Sequence, residues 1–187
     1  KLPLMDIEKS KLLTETKFEL KDNLLKGHVK TTLTGEQRTR FHQYYHELPS
    51  DEKKKLISRF LEFGNNNLAV SNVRTSDLSN REIPVVVEGD IDLSNYIITE
   101  DKEIYLGIDF FAEDLRGIIP DKGRQQDFEL SSAYVSQDET ELVLPSGYKV
   151  ISMPGSIEEK TTDYAVKASY SQKDNTILFK KTLSFPT

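Results

Sequence analysis

The stretch Glu141-Leu-Val-Leu-Pro-Ser-Gly-Tyr-Lys-Val-Ile151, followed by Asp163-Tyr-Ala-Val-Lys-Ala-Ser-Tyr-Ser-Gln-Lys-Asp-Asn-Thr-Ile-Leu-Phe-Lys-Lys-Thr-Leu-Ser-Phe185, decides the fold class. Tyr164, Val166, Ala168 and Tyr170 alternate onto one face of a strand, and Ile177, Phe179, Leu183 and Phe185 onto one face of the next. The polar run Ser171 to Asn175 between them reads as a turn, so the segment is a β-hairpin with one buried side. Upstream, a strand containing Leu142 and Leu144 stops at Pro145-Ser-Gly147, where proline removes a ladder donor and glycine admits positive φ. The rest of the core has to close over these strands.

Working outward, the same period of two recurs near the N-terminus. Leu12, Thr14, Thr16, Phe18 and Leu20 alternate with Leu13, Glu15, Lys17 and Glu19, a strand with one wet face. Asp22-Asn23 turns the chain, and Leu25, Gly27, Val29, Thr31 and Leu33 form the apolar side of a returning strand. Then the period changes to that of a helix: Phe41, Tyr44, Tyr45 and Leu48 make one stripe, ended by Pro49. A second helix follows with Ser50 as N-cap, Asp51 and Glu52 in its first turn, and a stripe of Leu56, Ile57, Phe60 and Leu61 running to Gly64.

Further strands are predicted at Leu68 to Val73, at Ile83 to Leu93 and at Ile104 to Phe110. Pro84 marks the second of these as an edge strand or places itself among that strand's first residues. Residues 112–127 carry Gly117, Pro120 and Gly123 without a period and read as a long loop, a length often associated with function. The architecture so assembled is α+β and mainly β: an antiparallel β-sandwich with a helical hairpin inserted at about residues 37–63, in a single domain spanning residues 1–187.

Bulk properties narrow the function classes. With 187 residues, 36% hydrophobic and 30% charged, the chain can bury a core without staples. A net charge of -6 lacks the basic footprint of a nucleic-acid binder and gives no attraction to an anionic membrane. Cysteine is absent, which removes disulfides, thiolate zinc sites and a thiol nucleophile. No apolar run reaches the length of a membrane helix, and Lys1 opens no signal peptide. Beginning at Lys1-Leu-Pro-Leu without methionine, the chain reads as a processed form or a piece of a longer protein.

Few constellations carry chemistry. His42 and His46, four apart on the first predicted helix, have metal-pair spacing, but Gln43 stands where a metalloprotease needs glutamate; a solvated helix face is the simpler reading. Asp90, Asp92, Ser94 and Asp101 match part of a calcium loop, without its glycine at position six or its terminal glutamate. Asp109, Glu113 and Asp114 are acids in a loop, which spacing alone cannot turn into a catalytic pair. Lys53 to Lys55 is a solvated charge run. Tyr96, Tyr105, Phe110 and Phe111 form a candidate aromatic platform for a glycan or peptide, set against the ordinary role of strand aromatics as core. No metal, cofactor or catalytic residue is expected.

The order of these motifs resembles a known arrangement. Lys17-Phe-Glu-Leu20, Gly27-His-Val-Lys-Thr-Thr-Leu-Thr-Gly35, Arg38 and Arg40 at a helix start, Leu48-Pro-Ser-Asp-Glu52, Leu68-Ala-Val-Ser-Asn-Val73 and Leu144-Pro-Ser-Gly-Tyr-Lys149 with its final hairpin follow one another. Together, from about Leu12 to Phe185, they resemble the C-terminal domain of unknown function that follows a transglutaminase-like core in large exported proteins of Gram-negative bacteria. The resemblance implies an accessory or scaffold domain, periplasmic or at the cell surface, packed on neighbouring domains of its own parent chain. It carries over no functional residue, because no cysteine here matches the nucleophile of such a core.

Overall fold

The computed structural model describes residues 7–21, 24–62, 67–110 and 133–185. After a short 3-10 turn (Ile7–Lys9), the first hairpin is β1 (Lys11–Lys21) and β2 (Leu24–Leu33), and the helical pair is α1 (Gly35–Glu47) and α2 (Ser50–Glu62). Next come β3 (Leu68–Thr75), β4 (Val85–Leu93), and a small ribbon of β5 (Ile98–Glu100) and β6 (Glu103–Tyr105). The C-terminal part contains β7 (Tyr134–Val143), β8 (Ile157–Lys160), β9 (Ala165–Lys173) and β10 (Thr176–Phe185). The chain is α+β and mainly β, and the helical insertion falls where the period changes.

Among the described residues the large sheet has eight strands in the order β3-β4-β2-β1-β7-β10-β9-β8. Two stacked sheets were expected, and one continuous open sheet is found. The reason lies in β1. Its second edge pairs in parallel with β7, in a register that sets Phe18 beside Leu142, so the N- and C-terminal strands join side by side instead of face to face. All the other pairs in this sheet are antiparallel.

Alternation makes one face of this sheet dry. Phe18, Leu25, Val29, Val87, Ile91, Leu93 and Leu142 are all buried, and Ile57 and Leu61 of α2, Phe41 of α1 and the incoming Ile108 and Phe110 pack over them. The second layer is therefore helix and coil. The Phe110 ring packs at a tilt against Phe18 with centroids 4.4 Å apart, and the Tyr96 ring lies 5.2 Å from that of Phe110. Gly27 lies opposite Phe18 in the ladder, and a Cβ there would sit 2.1 Å from the Lys17 carbonyl oxygen, so the close approach of β2 to β1 demands glycine. The opposite face is wet and laced with cross-strand pairs: Lys30 with Glu15, Lys26 with Asp92, His28 with Asp90, and Lys180 with Glu139.

Several local expectations change. Tyr44 is exposed, and the buried side of α1 carries Phe41 and His42, with Tyr45 stacked on Phe41 at 5.6 Å. Pro84 directly precedes β4, an interior strand. The strand predicted at Ile104 to Phe110 shrinks to β6, which pairs only with β5; Ile108 and Phe110 still turn inward. β8 had no sequence signal of its own, all four of its residues being exposed. The Asp22-Asn23 turn, Gly64, and the 112–127 loop lie outside the described residues.

Candidate functional site

The dry face of the sheet changes character between β1 and β10. Inward positions that carry Phe and Leu at one end become Thr14, Thr16, Asp138, Thr140 and Lys181 at the other, all buried. Lys181 and Asp138 are direct cross-strand partners, with Lys181 Nζ 3.0 Å from Asp138 Oδ2. Asp109, which follows the β5-β6 ribbon, reaches over from the second layer and accepts a hydrogen bond from the same Nζ at 2.8 Å. Burial alone would push the Lys181 pKa down, but the Asp138 and Asp109 carboxylates outweigh it and hold the pKa above the usual lysine value. The phenols of Tyr96 and Tyr170 are raised, first by burial and then by the Asp109 charge.

This seam is poor in reactivity. A lysine kept protonated offers no lone pair for nucleophilic attack or a Schiff base, which would require the opposite shift. The hydroxyl oxygens of Thr14, Thr16 and Thr31 are buried without a hydrogen-bond partner among the described residues, and the carboxylate beside Thr14, that of its cross-strand neighbour Asp138, is engaged with Lys181. Sequence reasoning missed the seam. Its signal was present: Lys181 interrupts Ile177, Phe179, Leu183 and Phe185 at an inward position, and Asp138 does the same between Ser136 and Thr140.

The metal candidates separate. His42 is only 4% exposed, contrary to its reading as part of a solvated face, because α1 rotates it toward the sheet beside Phe41. Its ring stacks on that of His46 at 5.7 Å, and neither His42 ring nitrogen has a partner among the described residues. Burial, then the nearby charges of His46, Arg81 and Arg38, lower its pKa. Asp90 points to the wet face, accepting hydrogen bonds from Asn72 at 2.8 Å and contacting His28 Nδ1 at 3.0 Å, and these partners lower its pKa. Asp92 pairs with Lys26, while Asp101 sits in the turn of the β5-β6 ribbon. Among the described residues no group of three or more ligand-type side chains converges.

The aromatic candidates divide too. Phe110 is core, whereas Tyr105 is 50% exposed and its hydroxyl donates to Glu103. Phe111, Glu113 and Asp114 lie outside the described residues. Tyr105 forms one wall of a groove of about 340 Å³ lined by Tyr96, Ile98, Ile104, Leu106, Gly107 and Ser152. An acidic depression of about 710 Å³, lined by Glu100, Asp101, Lys102 and Glu103, shares the Tyr105 wall. Ile98, Ile151, Met153 and Ile157 add solvent-exposed apolar surface on the ribbon and on the segment that leads into β8.

The model of a domain of unknown function (DUF3858) matches residues 102–186, from the turn of the ribbon through β10. That span contains Asp109, Asp138 and Lys181, and much of the exposed apolar surface. No curated protein matches the chain, and no solved structure does.

Proposed function

We propose that the chain is a non-catalytic accessory domain, one unit over residues 1–187, belonging to an exported protein with a transglutaminase-like core and working in the periplasm or at the cell surface. Its partners are then the neighbouring domains of its own parent chain. The observation that carries this reading is the contrast between its polar and apolar side chains. Lys181, Asp138 and Asp109 are engaged with one another, while Ile98, Tyr105, Ile151 and Ile157 are left in water, a distribution suited to contact more than to turnover. The DUF3858 match and the order of motifs from Leu12 to Phe185 support it. Neither cofactor nor metal is invoked, and nucleic acid is not a partner of so acidic a chain. No described helix is long and apolar enough to cross a membrane.

The test is an assay of the purified chain against a panel of peptide and amide substrates. No turnover is expected; turnover abolished by Lys181→Met or Asp109→Asn, with the fold retained, overturns the reading. A second reading, a peptide- or glycan-binding module, is favoured by one feature, the groove walled by Tyr105.

A further inference from the structure

We infer that α1 is an acid-released cover: a proton on His42 frees this helix from the sheet while α2 stays in place, and so uncovers the contact between Phe41 and Phe60. The inference goes beyond the accessory reading and does not depend on it.

α1 is anchored more lightly than α2. Phe41 and His42 are its two buried residues, whereas α2 places Ile57 and Leu61 in the core with Leu56 and Phe60 packed beside them. No side chain caps the first turn of α1, because the Thr34 hydroxyl donates to the Lys9 carbonyl oxygen instead. One of the two anchors is therefore an imidazole. Both its ring nitrogens are buried without a hydrogen-bond partner among the described residues, so even the neutral ring gives up water contacts that it regains on opening.

A proton makes the closed site worse. The charged groups that act on His42 are His46 and Arg38, one turn to either side along α1, and Arg81 from the connection between β3 and β4. Arg38 Nη1 donates to the Glu82 carbonyl oxygen at 2.6 Å, which holds that connection, and Arg81 with it, against the helix. The His46 ring stacks on the His42 ring with centroids 5.7 Å apart. From the α2 side, Phe60 meets Phe41, and Lys53 Nζ lies 5.2 Å from the centroid of the Tyr45 ring, so α2 too brings a cation to α1. An imidazolium shut in here would face like charges in a medium that solvates it poorly, whereas on the opened helix water takes it. Opening therefore raises the affinity of His42 for a proton, and acid favours the opened form. The closed form is intact above about pH 6.5 and loses ground as pH falls from there toward the lowered closed-state value, by up to about tenfold in the opening equilibrium per pH unit.

Amide hydrogen exchange on the full chain at pH 7.5 and 5.5, with each rate divided by its intrinsic rate, tests the inference. At pH 7.5 the interior amides of α1 should be protected at least about tenfold less than those of α2, as a separately opening unit is. At pH 5.5 their protection should fall further, by on the order of tenfold. In His42→Leu and in His42→Gln, neither of which titrates, the fall should shrink to less than about twofold. Circular dichroism checks that each variant folds, and an NMR titration of the imidazoles in the unaltered chain needs no variant: His42 should titrate below about pH 6.5. Exchange of α1 and α2 as one unit at both pH values overturns the inference, as does α1 protection indifferent to pH. So does an undiminished fall in the His42 variants, or a His42 that titrates at or above about pH 6.5.

Discussion

The two halves of the large sheet are supported in opposite ways. In β3, β4, β2 and β1 the inward positions are mostly apolar, and α1, α2 and Phe110 cover them, so Phe18, Leu25, Val29, Val87 and Leu93 are almost wholly excluded from water. In β7, β10, β9 and β8 the inward face carries Asp138, Thr140 and Lys181, the cover is partial, and the sheet ends in a strand with every residue exposed. The lesson is that one ladder can run from a hydrophobic support to an ionic one without a break, because backbone pairing tolerates both. What differs is the response to change: apolar burial loses free energy in proportion to what is removed, whereas a buried ion pair fails when only one partner is removed.

That contrast can be attacked directly. The largest effect is expected from Phe18→Ala, which empties the site between Leu142, Gly27 and Phe110; urea denaturation should show a loss of about 3–5 kcal/mol. A loss below 1 kcal/mol would mean the first half is not the stronger one. Next comes Lys181→Met, which leaves the Asp138 carboxylate buried without its cross-strand cation and should cost about 2–3 kcal/mol. Adding Asp138→Leu should restore part of that loss, since the buried carboxylate is then gone and only the more exposed Asp109 is left without the lysine. If the double variant is worse than Lys181→Met, the buried Asp138 charge is not what the single variant leaves uncompensated.

A smaller effect concerns pH. His42 has a folded-state pKa below its unfolded value, so the unfolded chain takes up a proton first as pH falls. Its contribution is intact above about pH 6.5, the unfolded value, and is lost as pH falls from there toward the lowered folded value. Urea midpoints should drop between about pH 7.5 and 5.5, and the drop should shrink in His42→Leu. An unchanged slope in that variant would assign the pH dependence to other groups. The smallest effect is at the edge: Glu158→Gln removes a pair with Lys167 whose side chains are 72% and 65% exposed, and stability should move by less than about 0.5 kcal/mol.

Legibility in the sequence follows the same division. β1 and β2 were readable because Phe18, Leu20, Leu25 and Val29 alternate with charges, and the helical pair because Leu56, Ile57, Phe60 and Leu61 change the period. Sandwich or open sheet was not readable, because the β1-β7 pairing is set by which edges meet, and alternation records only which face is dry. β5 and β8 had no alternation of their own to read because their residues are all exposed, which removes the pattern that burial imposes. His42 shows the limit for helices: a stripe drawn through Tyr44 was off by part of a turn, and the structure placed an imidazole where a phenol was expected. The groove was half legible. Tyr105 was a candidate, but its neighbours Ile98 and Ser152 come from segments far apart in sequence.

Hydrogen exchange resolved by strand in the native chain tests the graded support most directly. The account predicts the slowest amides in β4, β2 and β1, where both ladder edges are paired and the inward side chains are covered, and the fastest in β8 and the β5-β6 ribbon. Amides of β8 or of the ribbon protected as strongly as those of β1 in the isolated chain would contradict it.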